Sequence, residues 1–469
     1  MSFLSDLYKL GEILESYQAD SQNARAPVIR LKPIGEIIQE LRLDQLVREG
    51  DLQGEKLTQF MVPYLENTTR LEHPAYMAHQ VAVVHPSGAL GALVDAFSNN
   101  PMAVYEMGPA AAAIEFFMIN WLLKHVGFRP AALDSDAHQE SVWGGGVLVN
   151  GGSLANLTAL IAARTRLVSR VWETGNPPDL ALMAPAECHY SIARSAGIMG
   201  IGRKSIYLLD VDQNGSVIPD RLPAVYERLC NDGKRAIALV ANACNTPVGS
   251  YDPLREIGEF CRARNIWFHV DGAHGASALL SPEYRHLLDG IDLADSVIWD
   301  AHKMMRTPPL CAAVLVRDHR DLDRAFEQEA SYLFHDKTQP GVDFMHRTVE
   351  CTKSGLGLKL FFVVAALGER GLAAYVDRQC NLAAEAHAYL LTQPDIECPV
   401  PPQSNILCFR TPGSDQDQLA HRDRLIASGE FHLSTTLFKG RRYLRMVFMS
   451  PQTTLDNVKA LVAALRRSL

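Results

Sequence analysis

Through the first 60 or so residues, apolar positions fall at helical spacing, with Leu4, Leu7, Leu10 and Ile13 on one face. That spacing predicts an amphipathic helical arm. From about residue 65 to 320 the pattern changes, and short, almost purely apolar runs alternate with helical periodicities. This is the signature of a mostly parallel sheet covered by helices. Ala236–Ala241 (AIALVA), Ile266–Val270 (IWFHV), Ser296–Trp299 (SVIW) and Ala312–Val316 (AAVLV) are predicted strands. Asp252–Arg264 is a predicted helix, and another is expected near His286–Leu288. Strands so short and so apolar are buried on both faces.

Beyond about residue 355 an alanine-rich helical stretch runs to Leu391, and the tail from Ile406 mixes strands (ILCFR, YLRMVF) with a closing helix. Between these regions, Asp336–Thr348 (DKTQPGVDFMHRT) has no periodicity and reads as a mobile loop. The expected organisation is a helical arm over residues 1–65, a large α/β domain over 66–350, and a linker helix with a small α+β domain over 351–469.

Composition narrows the function. The chain of 469 residues is 47% hydrophobic and 21% charged, with a formal charge of −8 and basic residues spread along its length. Dispersed basic residues argue against a nucleic-acid surface. The longest apolar run, near Leu360–Leu367, is far short of the ~20 residues that span a bilayer, and no signal peptide is read at the N-terminus. Nine scattered cysteines without CxxC spacing fit free thiols in a reducing compartment, with cytoplasm the expected location and no metal centre.

Four features carry candidate chemistry. Gly144–Asn156 (GGGVLVNGGSLAN) places glycines before a helix expected near Leu154. Backbone N–H groups there approach an anion, the helix dipole favours it, and Ser153 is suited to cap the helix and donate its hydroxyl. Neither the GxxxxGK[ST] nor the GxGxxG spacing is present. Phe268–Ala276 (FHVDGAHGA) puts Asp271 at a strand end, where parallel sheets hold their ligands. Ser296–Met305 (SVIWDAHKMM) puts Lys303 just after another strand, and an amine held in such a crevice is a candidate imine former. Glu187–Ser191 (ECHYS) offers His189 as a ring to lie over a flat ligand. An anion cradle, an aromatic face, a carboxylate and an amine, each following a strand, are together what an anionic pyridinium aldehyde requires.

With these motifs, and with HPAYMAHQ, YEMGP, NTPVG and SYLF in the same order, the chain resembles the group II pyridoxal-phosphate decarboxylases. These are the fold-type-I family of glutamate, cysteine sulfinate, diaminobutyrate and aromatic amino acid decarboxylases. The resemblance runs from about His73 to the C-terminal domain and implies a mainly parallel seven-stranded sheet in the large domain. It implies pyridoxal 5′-phosphate on Lys303 as an imine, Asp271 on the ring nitrogen, His189 stacked on the ring and Ala273 beneath it. Gly152, Ser153 and His302 would bind phosphate, and Thr246 would lie near the ring oxygen. Arg445 would hold the substrate carboxylate, with Gln80 lining the pocket. A homodimer with shared active sites and a small amino acid as substrate are further implied, with the segment Cys351–Ser354 reaching the partner's phosphate.

The match departs from the family in one respect that bears on the product. The family's loop tyrosine has no counterpart between Leu333 and Glu350, and Tyr332 precedes the loop. Phe344 has no proton to give, so His335 or, preferably, His346 is the expected general acid. The expected product is then the amine. The alternatives are an oxygen-using aldehyde synthase and a catalytically silent homologue that binds a partner.

Overall fold

In the computed structural model, which describes residues 2–132, 142–326 and 341–467, the strands follow the apolar runs. They are β1 (Tyr76–Met77), β2 (Gly145–Val149), β3 (Leu180–Pro185), β4 (Ile206–Leu209), β5 (Arg235–Asn242), β6 (Trp267–Asp271), β7 (Ser296–Asp300), β8 (Ala312–Val316), β9 (Ile406–Phe409), β10 (His432–Phe438) and β11 (Arg441–Val447). All four strands predicted between residues 236 and 316 are present.

The chain divides into two compact units, one of residues 84–378 and one of residues 1–83 with 379–469. The larger unit holds a seven-stranded sheet in the order β2-β8-β7-β6-β5-β3-β4. β3 to β7 pair in parallel, and β8 runs antiparallel to both β2 and β7. β2 therefore points the same way as the parallel strands, and the loops after β2, β3, β5, β6 and β7 leave from one edge of the sheet. Every residue of β2, β3, β6, β7 and β8 is buried, as near-continuous apolar runs require. Helix Gly152–Leu167 packs along the sheet through Ala155, Ala159, Ala162 and Ala163, each at most 1% exposed. The small side chains let helix and sheet approach closely, and Leu160 and Ile161 fill the space between. Each fully buried aliphatic side chain of this size contributes on the order of 1.5–3 kcal/mol.

The smaller unit carries a four-stranded sheet, β1-β10-β11-β9, in which only β1 and β10 are parallel. Its core joins Met77, Phe409, Leu433, Leu444 and Met446 to Leu461 and Leu465 of the closing helix Leu455–Arg466. The N-terminal arm forms helix Phe3–Gln22, which Tyr17 ties to Thr68 at 2.8 Å and Arg70 covers with a cation–π contact of 4.3 Å.

Three local expectations are corrected. The aperiodic stretch read as a mobile loop is held in its described part. Residues Phe344–Arg347 form a 3-10 turn, and Phe344 is 1% exposed within the main core. Tyr332, His335 and the rest of 327–340 lie outside the described residues. The triple glycine Gly144–Gly146 serves packing: a Cβ on Gly146 would lie 2.5 Å from the Val314 carbonyl oxygen, so strand pairing there excludes a side chain. Helix Gly152–Leu167 begins two residues before the expected Leu154. Gly151, at φ 98, makes the turn and is the N-cap, so Ser153 is inside the helix and does not cap it.

A buried ion pair fixes the chain just after residue 341. Lys353 Nζ lies 2.5 Å from Glu115 Oε2, both groups almost wholly buried, and 5.2 Å from the centre of the Phe344 ring. Glu115 Oε1 accepts the Leu148 N–H of β2 at 2.9 Å. Burial pushes the Glu115 carboxyl upward, opposed by Lys353. Lys353→Met strands a carboxylate in the core and is expected to cost about 3–5 kcal/mol. The Glu115→Leu, Lys353→Met double variant should recover part of that loss. Chemical denaturation of both variants checks this, and a single-variant loss below about 1 kcal/mol contradicts it.

Candidate active site

The five loops at one edge of the larger sheet carry the chemistry read from the sequence. β6 ends on Asp271 and β7 on Asp300, with His302 and Lys303 following. β3 leads to His189, β5 to Thr246, and β2 to Gly151 and Gly152. Gly152, Ser153, His189, Thr246, Ala273, His302 and Lys303 are all half-buried, whereas β2, β3, β6 and β7 are buried throughout. The glycines of HVDGAHG are there for backbone approach: a Cβ on Gly272 would meet the Ile298 carbonyl oxygen at 2.8 Å, and one on Gly275 the Cys244 nitrogen at 2.5 Å.

The ionisable groups converge. The His189 ring is pushed below the usual histidine range by burial, opposed by the charge of Asp271, reinforced by Lys303 and opposed again by Asp300. Three charged groups, Asp271 on one strand end and Asp300 and Lys303 on the next, thus act on one imidazole. Lys303 Nζ lies 3.1 Å from Asp300 Oδ2, and His302 Nε2 lies 3.6 Å from the same oxygen. His302 Nδ1 donates to the Cys311 carbonyl at 2.8 Å. Asp271 accepts from Asn156 Nδ2 at 2.9 Å and from the Ala273 N–H at 3.2 Å. Asn156 Oδ1 is 2.8 Å from His269 Nε2, and Asn156 Nδ2 also reaches Ser191 Oγ at 2.9 Å. Ser191 Oγ is in turn 2.8 Å from His189 Nδ1.

These residues fit pyridoxal phosphate. No side chain caps helix Gly152–Leu167, which leaves its first N–H groups to an anion. Gly152 is required at that end, since a Cβ would sit 2.8 Å from Asp300 Oδ2. Asp271 is 7% exposed and already held by two donors, the setting that a pyridinium N–H needs.

Sequence reasoning missed Asp300, Asn156, Ser191 and His269. Asp300 is 1% exposed, and its Oδ1 has no hydrogen-bond partner among the described residues. It stood inside the DAHK motif, where an acid three residues before the lysine was a usable signal. A histidine in the otherwise apolar run IWFHV was another.

Two predicted residues stand in the smaller unit. Arg445, on β11, is 6% exposed and donates from Nη2 to Gln80 Oε1 at 3.1 Å. His346 borders a groove with Arg320, Asp323, Asp343 and Arg347.

Comparisons with known proteins agree with this arrangement. The family described as the pyridoxal-dependent decarboxylase conserved domain matches residues 59–412. L-2,4-diaminobutyrate decarboxylase of Acinetobacter baumannii is 27% identical over 481 residues, covering 97% of this chain and 91% of that protein. Aromatic-L-amino-acid decarboxylase of Sus scrofa is 30% identical over 401 residues, covering 83% and 78%. The crystal structure of mouse CSAD superposes with a TM-score of 0.87 at 26% identity, covering 99% of each chain. The architecture is accordingly that of fold-type-I pyridoxal-phosphate enzymes with a small C-terminal domain.

Proposed function

The chain belongs to the pyridoxal-dependent decarboxylase family, a family of lyases whose cofactor is pyridoxal phosphate, and from that premise we propose that it converts an L-amino acid to the corresponding amine and CO2. The observation that carries this reading is the convergence of Lys303, Asp271, Asp300 and His189 at the ends of β3, β6 and β7.

Bound at this edge, pyridoxal phosphate supplies a sink for the electron pair left when the bond from Cα to the carboxylate breaks. Lys303 provides the amine that holds the cofactor. Asp271 keeps a proton on the ring nitrogen, so that the ring can take those electrons. His189 and Ala273 would pack against the ring. Gly152, Ser153 and His302 hold the phosphate, and Thr246 stands at the ring oxygen. Which bond to Cα breaks depends on how the substrate carboxylate is gripped, the role given to Arg445 beside Gln80.

A guanidinium presents two parallel donors to a carboxylate, and an ammonium does not. Arg445→Lys is therefore expected to raise the substrate KM by roughly tenfold or more, with cofactor content unchanged. Steady-state kinetics beside the cofactor absorbance checks this. An unchanged KM removes Arg445 from the site.

Several expectations from the resemblance stay part of the proposal. A homodimer is supported by apolar side chains left exposed along the arm, Phe3, Leu4 and Tyr8 at 59%, 56% and 70%. Nine free cysteines fit a reducing compartment. Among the described residues, no helix is long and apolar enough to cross a membrane. The proton-donating role is proposed for His346, which borders the groove with Arg320 and Asp323. The reaction is tested by incubating the protein with pyridoxal phosphate and single amino acids while measuring CO2, amine, aldehyde and peroxide. Amine equal to CO2 supports the proposal. Aldehyde and peroxide in proportion to CO2 would replace it with an oxygen-using aldehyde synthase.

A further inference from the structure

We infer that Asn156 and His269 are positioning residues that form a one-directional hydrogen-bond relay, turning Asp271 toward the cofactor ring nitrogen and fixing the tautomer of His189. The inference rests on Asp271 being the ring-nitrogen partner.

The groups involved are buried. His269 and Ser296 are 0% exposed, Asn156 and Ser191 1%, and Trp267 5%. Away from bulk solvent, each contact needs one donor and one acceptor. A carboxylate only accepts, so the Asn156 contact at 2.9 Å must come from its NH2 group. That orients the amide and turns Oδ1 toward His269 Nε2, 2.8 Å away. Oδ1 only accepts, so His269 carries its proton on Nε2. Burial pushes this ring down to about 4, which leaves it neutral at physiological pH and leaves Nδ1 an acceptor. The Ser296 hydroxyl, 2.8 Å from Nδ1, then donates to it. Trp267 Nε1, a donor only, completes Ser296 Oγ at 2.8 Å. Every proton in the run from Trp267 to Asp271 points toward the carboxylate.

The second N–H of Asn156 extends the relay to the other side of the site. It donates to Ser191 Oγ at 2.9 Å, so the Ser191 hydroxyl is directed at His189 Nδ1, 2.8 Å away. The Ser191 backbone N–H also points at Nδ1, at 3.3 Å. His189 therefore carries its proton on Nε2. One amide couples the ring-nitrogen partner to the stacking imidazole, and its orientation is set by a histidine that touches neither cofactor nor substrate.

The test uses holoenzyme carrying 15N-labelled pyridoxal phosphate, because the nitrogen chemical shift reports ring protonation directly. In wild type the ring nitrogen should read as protonated. Asn156→Leu, of similar size but without a donor, should move the shift toward the unprotonated value and lower kcat about 10- to 100-fold, the scale expected for a hydrogen bond to a charged group, with KM little changed. His269→Leu should move both in the same direction, whereas His269→Gln, whose amide can still donate to Asn156, should restore both. A fully loaded Asn156→Leu protein with an unchanged nitrogen shift overturns the relay. Should Asn156→Leu fail to fold, the His269 pair decides, and equal shifts in His269→Leu and His269→Gln overturn it. Asp271→Asn is measured beside them. Loss of ring protonation there with none in the relay variants sinks the relay alone, while retained protonation in Asp271→Asn sinks the premise.

Discussion

Lys303→Ala is expected to abolish turnover and the visible absorbance of the bound cofactor. The physical reason is that, among the described residues, no second buried lysine of the larger unit is uncommitted. The other buried lysines of the larger unit are committed, Lys353 to Glu115 at 2.5 Å and Lys359 to the carbonyls of Pro309 and Leu310 at 3.3 and 2.9 Å. Lys303 combines a half-buried amine with a place just past the end of β7, 3.1 Å from Asp300. Truncation removes the linkage and leaves the phosphate cradle intact, so the variant should retain weak, non-covalent affinity for the cofactor. Absorbance spectroscopy after reconstitution, with CO2 release in parallel, checks both parts. Retained imine absorbance would mean that another lysine carries the cofactor.

Asp271→Asn should leave the cofactor bound and cripple the chemistry. A neutral amide cannot hold the ring nitrogen protonated, so the ring takes up electrons less readily. Asparagine also disturbs its own holders. If its oxygen accepts from Asn156, its NH2 group faces the Ala273 N–H, and two donors then meet where one donor met an acceptor. Removing a central electrostatic contribution of this kind typically costs several kcal/mol of transition-state stabilisation, about ten-thousandfold in rate. Single-turnover CO2 release from the reconstituted variant measures it. A rate within tenfold of wild type would remove Asp271 from the role.

Much of this site was legible because parallel strands buried on both faces leave a plain apolar signature, and because ligands gather at their C-terminal ends. Asp271 and Lys303 stand where IWFHV and SVIW run out, and the structure brings them to one edge. The phosphate turn was legible in part. Gly151 and Gly152 stand at the helix end, but Gly146 before them answers to Val314 across the strand, a contact with no trace in local spacing. Asn156, Ser191 and His269 were invisible as a group, since their connection spans more than a hundred residues. β10, with its run HLSTTLF, lacks the apolar continuity of a central strand, and its parallel partner β1 lies some 350 residues away. The stretch around His346 reads as loop by periodicity, yet one side chain, Phe344, anchors it in the core. A single anchor leaves no repeat to detect.

The central claim, that this decarboxylase carries pyridoxal phosphate on Lys303, is tested most directly by borohydride reduction of the cofactor-loaded protein, followed by proteolysis and mass spectrometry. Reduction makes the lysine–cofactor bond permanent. The account predicts one phosphopyridoxyl group per chain, on the peptide containing Lys303. The same group on a different lysine, or its absence from protein that still releases CO2, would contradict it.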